Sequence, residues 1–299
     1  MANILITGGS GVIGERLSKL LLNKGFSVGH LTRSNQNKDG EIKYFNWSPE
    51  NNVIDPLAVT WADHIIHLAG ETVGQRWTAM VKKKILASRV ETTQLLLDEL
   101  ERNNHRIASF VSASAIGYYG DDCGGELQTE SSKKGQGFLS DVVEEWESTA
   151  NKMEPFCDRI VKIRIGIVLT KKGGALSKMA MPIRFGLGAA LGSGHQWMSW
   201  IHVDDLCKMF LKATEEPLEG VYNGVGPNPV TNKEFTKLLA KQLRRPLIFP
   251  KIPGFFLKAL LGEMSVLALG SIKAVPDAFV KEGFTFEFKT LDEAIKSLV

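Results

Sequence analysis

Hydrophobic and polar positions alternate in two patterns along the first half of the chain. Short apolar runs rich in β-branched residues predict strands, and longer stretches with apolar residues every three or four positions predict helices. The predicted strands are residues 3–7, 27–32, 64–68, 108–112 and 159–169, and the predicted helices are residues 14–24, 81–102 and 139–153. Strands that alternate with helices predict an α/β fold with a doubly wound parallel sheet.

The pattern changes after Leu169, where glycine and proline become frequent. Residues 171–194 are rich in glycine and are interpreted as a mobile connection or lid, hinged at Gly173–Gly174 and 186–188. Helices are predicted at 232–243, 255–261, 266–269 and 291–298, the first of them capped by Thr231 or Asn232. We therefore predict a sheet domain over residues 1–170 and a small, mostly helical domain over residues 171–299, with residues from about 195 to 226 returning to the first.

Composition narrows the class of protein. The 299 residues carry a net charge of +3 with acids and bases interspersed, which argues against nucleic acid and against a membrane surface as partners. The three cysteines form no metal-binding or redox spacing, so neither a metal site nor a disulfide is expected. Without a leader pattern or a run of about 20 apolar residues, the sequence predicts a cytoplasmic protein.

A glycine-rich turn joins the first strand to the first helix. Gly8, Gly11 and Gly14 have the spacing at which a tight turn lets a pyrophosphate approach the backbone and lets helix and strand pack closely. The N-terminus of the helix offers free N–H groups to phosphate oxygens. A dinucleotide is therefore predicted to bind at Gly8, Gly9, Ser10, Gly11, Val12, Ile13 and Gly14.

The end of the second strand indicates which dinucleotide binds. An acidic residue there would bind the ribose hydroxyls of NAD, but this chain has Thr32 followed by Arg33. A guanidinium can pair with the 2′-phosphate of NADP(H) through charge-assisted hydrogen bonds. The sequence thus favours NADP(H), with a plain surface arginine as the alternative.

These residues resemble the extended short-chain dehydrogenase/reductase superfamily, and further motifs match in order. Residues 65–70, ending in Leu68-Ala69-Gly70, resemble the strand that borders the cofactor, and residues 110–115 resemble the strand that bears the active-site serine, here Ser114. Residues 200–206 and 220–226 are similar to two later elements of the superfamily. The resemblance implies a Rossmann fold whose substrate lies at the carboxyl ends of the strands.

Several strings resemble one atypical subfamily, whose members are described as epimerase family proteins with a short C-terminal domain. They are Gly70-Glu71, Ser88-Arg89, residues 114–120, residues 192–196, and the tail with Pro253, Leu261-Gly262-Glu263, Pro276 and Gly283-Phe284. The resemblance spans essentially the whole chain. The subfamily's description names a superfamily and does not by itself imply epimerase activity.

The superfamily's Tyr-x-x-x-Lys pair, which would move a proton as hydride is transferred, has no counterpart here. With Glu147 as the anchor of the alignment, Leu139 takes the tyrosine position and Val143 the lysine position. Ser114 is retained, and Tyr118 and Tyr119 follow it closely enough to be candidate proton donors, with packing roles as the alternative. Two histidines are further candidates, His195 for contact with substrate and His202 for holding a turn.

Arg89 stands where the superfamily has a structural asparagine. It could bind the pyrophosphate or a substrate phosphate, or it could form a salt bridge with Glu91 or Glu147. Arg76, Trp77, Trp197 and Trp200 could line a substrate pocket or pack in the core.

Three functions stay open. The first is an NADP(H)-dependent oxidoreductase or epimerase acting on a small molecule, with nucleotide-linked compounds as one candidate class. The second is a non-catalytic NADP(H)-binding protein with a regulatory or redox-sensing role. The third is an unfamiliar reaction supported by Ser114 with Arg89 and Glu71. A homodimer, common in the superfamily, also stays open.

Overall fold

The computed structural model describes residues 1–33 and 40–299. Within these residues the first half of the chain contains β1 (Asn3–Thr7), α1 (Val12–Asn23), β2 (Ser27–Thr32), β3 (Ile42–Ser48), β4 (Val53–Ile54), α2 (Pro56–Trp61), β5 (His64–His67), α3 (Ala79–Arg102), β6 (Ser109–Ala115), β7 (Asp122–Gln128), α4 (Phe138–Asn151), β8 (Ile160–Ile165) and β9 (Ile167–Leu169).

Shorter elements follow in the second half of the chain. They are α5 (Gly174–Arg184), β10 (Ala190–Leu191), β11 (Trp197–Met198), β12 (Trp200–His202), α6 (Val203–Glu215), β13 (Gly220–Gly224), β14 (Val230–Thr231), α7 (Asn232–Gln242), β15 (Lys251–Ile252), α8 (Gly254–Leu261), α9 (Val266–Leu269), β16 (Ser271–Ala274), α10 (Asp277–Lys281) and α11 (Leu291–Lys296).

The main sheet has eight strands in the order β13-β8-β6-β5-β1-β2-β3-β4, and every neighbouring pair except β3–β4 is parallel. From β1 the chain builds outward through β2 and β3 in one direction, and from β5 through β6, β8 and β13 in the other. The direction changes between β1 and β5, which is the place where doubly wound sheets bind ligands. This architecture confirms the predicted fold class.

Alternate residues of β1 explain how the sheet holds its two layers of helices. Successive side chains of a strand point to opposite faces, so Ile4 and Ile6 join a core shared with Leu17 and Leu21 of α1. Leu5 joins the second core on the other face, which contains α2 and α3. A buried strand flanked by two cores has no polar face, which is why these strands appear in the sequence as continuous apolar runs.

The prediction of one strand over residues 159–169 was wrong. The run is divided at Gly166 into β8, which pairs with β6 and β13, and β9, which pairs with β12. A Cβ at position 166 would lie 2.4 Å from the carbonyl oxygen of Ser199, so only glycine permits the approach that starts the new pairing.

The segment 171–194, predicted as a mobile connection or lid, contains helix α5 and strand β10. Two of its five glycines with positive φ, Gly173 and Gly174, lie at the N-terminus of α5, where they allow the chain to turn into the helix. The predicted cap of α7 is confirmed as Thr231, which forms a capping box with Glu234. No helix among the described residues is long and apolar enough to cross a membrane.

Candidate dinucleotide site and its catalytic end

The residues singled out in the sequence lie at the carboxyl ends of the central strands. Gly8 follows β1, Arg33 follows β2, Leu68 follows β5, and Ser114 lies near the end of β6. Because the strands are parallel, these four ends share one edge of the sheet, across the point where the strand order reverses. The candidate site therefore extends along this edge.

The turn from Gly8 to Gly14 has the close contacts that its spacing predicts. Gly8 has φ of +68°, and a Cβ there would lie 3.0 Å from the backbone nitrogen of Ala69. A Cβ on Gly14 would lie 2.4 Å from the carbonyl oxygen of Gly8. Gly11 is the N-cap of α1 and supplies no side-chain cap, so the first N–H groups of the helix stay available. The turn is a cradle for an anion at a helix N-terminus.

Thr7 fixes the position of the strand end beside this turn. Its buried hydroxyl accepts hydrogen bonds from the backbone N–H groups of Leu68 (3.1 Å) and Ala69 (3.0 Å). Its own proton is then donated to Nδ1 of His67 at 2.8 Å. The loop that follows β5 is thereby tied to the loop that follows β1, which shapes the crevice between the two strands.

His67 has a single protonation state that satisfies all of its partners. Nδ1 accepts from Thr7, so Nε2 carries the proton and faces the hydroxyls of Thr92 (3.3 Å) and Thr93 (3.2 Å). Those hydroxyls donate in turn to carbonyl oxygens of α3. Burial, with a smaller effect from the charge of Arg89, lowers the pKa of His67 to about 3. The ring is therefore neutral at physiological pH.

His30 of β2 supports the turn from the other side. A Cβ on Gly9 would lie 2.5 Å from the ring of His30, so the ring packs directly against the glycine. Nε2 of His30 lies 2.7 Å from the Ser18 hydroxyl, whose proton goes to the carbonyl oxygen of Gly14. Burial lowers the pKa of His30 to about 4, so this ring is also neutral near pH 7.

Arg89 lies against the loop after β5 and forms no salt bridge in the part of the chain that the structure describes. One of its nitrogens, Nη1, donates to the carbonyl oxygens of Ile85 (2.9 Å) and Glu71 (3.2 Å). A Cβ on Gly70 would lie 3.3 Å from its guanidinium carbon, which itself lies 5.3 Å from the ring of Trp146. Desolvation lowers the pKa of Arg89 to about 10. The alternative of a salt bridge with Glu91 or Glu147 was wrong.

Arg33 and Thr32 stand at the end of β2, at the border of the described residues. The side chain of Arg33 is exposed and Thr32 is half-buried. The structure therefore presents a guanidinium to solvent on the same edge of the sheet as the glycine turn. In doubly wound folds the residue after the second strand lies on the side of the adenine ribose.

At the other end of the crevice, three polar side chains form a row across three strands. Ser114 of β6 is in register with Arg164 of β8, which is in register with Asn223 of β13. All three are buried. Buried polar groups require partners, and the row obtains one from α4, where Glu147 projects onto it.

Glu147 and Arg164 form a buried, bidentate ion pair. Nε of Arg164 donates to Oε1 at 2.8 Å and Nη2 donates to Oε2 at 2.8 Å. Ser114 donates its proton to Oε1 of the same carboxylate at 2.6 Å. The favourable contacts with Glu147 more than offset the desolvation of Arg164 and raise its pKa. The serine proton is therefore held by Glu147.

The network continues from Arg164 to Tyr119. The Tyr119 hydroxyl accepts from Nη1 of Arg164 (3.2 Å) and donates to Oδ1 of Asn223 (2.7 Å). The backbone N–H of Asn223 donates to Oε1 of Glu130, and its side-chain amide donates to the carbonyl oxygen of Val275. Burial raises the pKa of Tyr119. These contacts commit the Tyr119 hydroxyl to the interior.

Tyr118 differs from its neighbour. Its ring stacks on the guanidinium of Arg164, with 3.4 Å from the ring centroid to the guanidinium carbon. Its hydroxyl forms no hydrogen bond within the described ranges 1–33 and 40–299. Of the two candidate tyrosines, Tyr118 is thus the one with an available hydroxyl.

The positions that replace the Tyr-x-x-x-Lys pair are occupied by Leu139 and Val143 of α4. Val143 is buried, and the Cβ of Leu139 would lie 3.3 Å from a Cβ on Gly117. Neither side chain carries a group that can give or accept a proton.

The other candidates separate into distinct roles. His202 caps α6 by accepting the Asp204 N–H at 3.1 Å, which confirms the prediction that it holds a turn. Its ring also stacks on Phe288, whereas His195 is exposed. Trp200 is fully buried and belongs to the core.

Helix α5 extends beside the glycine turn. Gly173 lies so that an added Cβ would be 3.7 Å from Val12, and Lys178 donates to the carbonyl oxygen of Gly74 at 3.4 Å. The helix therefore connects the glycine turn to the loop after β5.

Sequence reasoning missed the role of Glu147 and did not consider Arg164. Both carried a signal, because each is a charge inside an apolar pattern. Arg164 interrupts an apolar strand, and Glu147 lies on the same face of α4 as Val143, Trp146 and Ala150. A charge on a buried face requires a partner, but the pattern does not say which one.

The fold, the switch-point crevice and the glycine turn define a Rossmann protein of the extended short-chain dehydrogenase/reductase class. The NAD dependent epimerase/dehydratase family matches residues 4–137, and a domain of unknown function, DUF1731, matches residues 252–298. A relative from Staphylococcus haemolyticus, described as an epimerase family protein, is 36% identical over 100% of this chain and 99% of its own. The chain belongs to this group of epimerase family proteins.

Solved structures are similar over the whole chain. The human epimerase family protein SDR39U1, determined with NADPH, is 30% identical with a TM-score of 0.85 and covers 99% of this chain and 98% of its own. A nucleoside-diphosphate sugar epimerase from Corynebacterium glutamicum is 30% identical with a TM-score of 0.81, and the match covers 99% of this chain and 58% of that protein. The resemblance identified in the sequence is confirmed.

Proposed function

We propose that this chain binds NADP(H) and acts as an oxidoreductase or epimerase with an atypical active site. The observation that carries the proposal is the turn from Gly8 to Gly14, set in the switch-point crevice with the exposed Arg33 at the next strand end. The N–H groups at the N-terminus of α1 would hold the dinucleotide pyrophosphate, and Arg33 would pair with the 2′-phosphate.

The residues present fit this cofactor. A Cβ at Gly8 or Gly14 would meet backbone atoms at 3.0 Å or less, so the cradle is built for close approach of a backbone-bound group. Thr32, Leu68, Ala69 and Gly70 border the crevice along the same strand ends. The human relative was solved with NADPH, which supports the phosphorylated form.

Arg89 takes a supporting role beside the cofactor. It donates through Nη1 alone, and within residues 1–33 and 40–299 no carboxylate neutralises it by a salt bridge. Its charge lies next to Gly70, on the wall of the crevice. A phosphate of the cofactor or of the substrate supplies the missing negative charge.

Catalysis rests on Tyr118 and not on the usual pair. The bound cofactor supplies hydride transfer at its nicotinamide. Tyr118 donates the proton to the substrate oxygen, because its hydroxyl is the available one of the two tyrosines and its ring stacks on Arg164, which shares the Glu147 carboxylate with Ser114. The Glu147–Arg164 pair holds Tyr118 in place through the stacked guanidinium and keeps Ser114 oriented. A nucleotide-linked small molecule is the substrate class we favour, because the similar Corynebacterium protein is described as a nucleoside-diphosphate sugar epimerase.

A second function has a specific observation in its favour. The Ser114 proton is held by Glu147 at 2.6 Å, and the tyrosine and lysine positions are Leu139 and Val143. A protein that binds NADP(H) without turnover, as a regulatory or redox-sensing element, needs none of these groups. The cytoplasmic location, the division at residue 170 and the homodimer stay predictions.

Calorimetric titration with NADPH, NADP, NADH and NAD tests the proposal. We expect the phosphorylated pair to bind roughly 10- to 100-fold more tightly, as expected for a charge-assisted contact to phosphate. The absence of binding to all four by a folded, ligand-free protein would remove the cofactor and the functions built on it.

A substrate screen followed by absorbance of the reduced nicotinamide separates the two functions. If the protein is an enzyme, Tyr118→Phe should abolish turnover while the affinity for NADPH is kept. Tyr119→Phe removes a buried hydrogen bond and should lower stability without removing the proton donor. Turnover that survives Tyr118→Phe would exclude Tyr118 as donor, and no turnover with any carbonyl or sugar substrate would favour the binding protein.

A further inference from the structure

Large apolar side chains protrude into solvent on the part of the chain after residue 180. The most exposed are Phe185 (77%), Phe255 (76%), Ile248 (71%) and Leu260 (64%). Side chains that line a ligand pocket are mostly enclosed, whereas these stand outside the protein surface. A cluster of this kind marks an interaction surface.

Three segments carry these side chains, and they lie beside one another. They are residues 184–187 at the end of α5, residues 244–251, and residues 254–260 of α8, and together we call them the basic apolar surface. Gly188 directly follows the first segment, and a Cβ on it would lie 2.9 Å from Cδ2 of Leu247. The first segment therefore ends beside the second. Strand β15 pairs with β10 and leads into α8, and a Cβ on Gly254 would lie 3.9 Å from the Cα of Gly192, so the third segment begins beside the strand that follows the first segment.

Helix α8 shows that this surface has no partner within the described chain. Its sequence is apolar on all sides, yet Leu257 is its only buried residue. All eight consecutive residues from 244 to 251 are exposed to solvent. Apolar residues placed this way are solvated at a cost that burial against a partner would remove.

Cations accompany the apolar side chains, and acids are missing. The exposed cations are Arg184, Arg244, Arg245, Lys251 and Lys258, none of which forms an ion pair within the described ranges. Neither Asp nor Glu occurs between Asp158 and Asp204 or between Glu234 and Glu263. Although the net charge of the chain is only +3, its charges are not interspersed here, contrary to the expectation from composition.

We propose that the basic apolar surface docks this protein reversibly on an anionic phospholipid membrane. Protruding aromatic and aliphatic side chains enter the boundary between headgroups and acyl chains, while flanking cations pair with lipid phosphates. A second copy is a poor occupant, because the same cations would face one another across a symmetric interface. Docking is peripheral, and it replaces the expectation, based on net charge and the lack of a spanning segment, that no membrane is bound.

Flotation of the full chain with vesicles tests the proposal. One set contains phosphatidylcholine alone, and the other contains equal parts of phosphatidylcholine and phosphatidylglycerol. We expect binding to the anionic set only, with affinity falling as added salt shortens the range of the electrostatic attraction. Equal recovery with both sets, or recovery with neither, would overturn the proposal.

Phe255→Ser/Phe256→Ser tests the apolar contribution. Both side chains are more than half exposed, so the variant should fold, with circular dichroism and NADPH affinity as checks. We expect vesicle binding at least about tenfold weaker, because burial of aromatic area is lost. Leu57→Ser is the matched control, since Leu57 is 66% exposed on α2, and it should bind vesicles like the parent protein.

Lys251→Glu/Lys258→Glu tests the charge contribution. Each cation near an anionic surface contributes about fivefold, so the double reversal should weaken binding by more than about 25-fold. Lys19→Glu/Lys24→Glu, within α1 and at its C-cap, changes net charge by the same amount away from this surface and should have a small effect. Equal losses in the two variants would show a general charge effect and contradict docking through this surface. A dimer in light scattering that the Phe255/Phe256 variant dissociates would identify a second copy as the occupant instead.

Discussion

The two ends of the crevice, at the glycine turn and at Ser114, are built from different kinds of contact. At the glycine turn, backbone atoms approach so closely that side chains are excluded, as at Gly14, where a Cβ would meet the Gly8 oxygen at 2.4 Å. At the serine end, side chains fill the space with charge, as in the bidentate contact between Arg164 and Glu147. The glycine turn depends on the absence of side chains, and the serine end depends on the charged side chains of Arg164 and Glu147.

This difference shows which end of the crevice keeps the geometry that is typical of the superfamily and which end differs from it. The turn keeps the geometry of a dinucleotide cradle, with neutral His30 packed under Gly9 and neutral His67 tied to Thr7. The serine end keeps only Ser114, and its proton is given to a buried carboxylate. The superfamily's cofactor chemistry can therefore persist while its proton relay cannot.

The largest effect is expected at the serine end. Glu147→Ala leaves the buried guanidinium of Arg164 without its carboxylate, and we expect a loss of about 3–5 kcal/mol in the free energy of unfolding. Urea denaturation measures it. Glu144→Ala on the same helix is the control, because its contact with Lys134 lies at the surface, where solvent screens it, and contributes little. Similar losses in the two variants would mean that the buried pair contributes no more than a surface one.

The second effect concerns the glycine turn. Gly14→Ala places a Cβ against the backbone of Gly8 and Gly9, so helix and turn must separate, at a cost of about 2–3 kcal/mol. We expect the Kd for NADPH to rise roughly 100-fold. Gly25→Ala is the matched control, because its φ is +86° but no atom lies within 4 Å, so it should lower stability by about 1–2 kcal/mol and leave the Kd unchanged. An unchanged Kd for Gly14→Ala would exclude the turn as the cofactor site.

The contrast between the two ends also explains what the sequence could predict. The turn is local, because seven consecutive residues hold its geometry, and glycine at fixed spacing is visible in the sequence. The serine network joins residues 33 positions apart along the chain, from Ser114 to Glu147, and its partners depend on strand register. Periodicity reveals that Arg164 lies in a strand but not that Ser114 lies beside it.

The same limit applies to the fold. The parallel strands and their helices were predicted from apolar periodicity, while the division of residues 159–169 at Gly166 depends on a contact with Ser199. Helix α5 was missed because glycine and proline, including Pro182 inside the helix, dominate its local signal. Tertiary packing of Leu176, Ala180 and Ile183 overrides that signal.

The third prediction sharpens the choice of dinucleotide. Arg33→Ala removes the proposed partner of the 2′-phosphate, and we expect NADPH to bind about 30-fold more weakly, or about 2 kcal/mol. NADH lacks that phosphate, so its affinity should not change, and it serves as the internal control. Equal losses for both dinucleotides in calorimetry would remove Arg33 from this role.

The smallest effect is a pH dependence of stability that belongs to the turn. The pKa of His67 is lowered to about 3 by burial, whereas an unfolded histidine has a pKa of about 6.5. The unfolded chain therefore binds the additional proton first, so stability falls as the pH drops below about 6.5 and continues to fall until about 3. Between pH 8 and pH 5.5, His67 alone should lower the free energy of unfolding by about 1.4 kcal/mol.

His67→Gln tests this assignment, because glutamine keeps a donor for Thr92 and Thr93 and does not titrate. Unfolding in urea at both pH values should show that the loss of stability on acidification is about 1.4 kcal/mol smaller in the variant. A variant that is less stable than the parent by the same amount at both pH values would show that His67 contributes only packing and hydrogen bonds. In that case the acid sensitivity would have to come from other buried histidines, of which His30, with a pKa of about 4, is the next to replace.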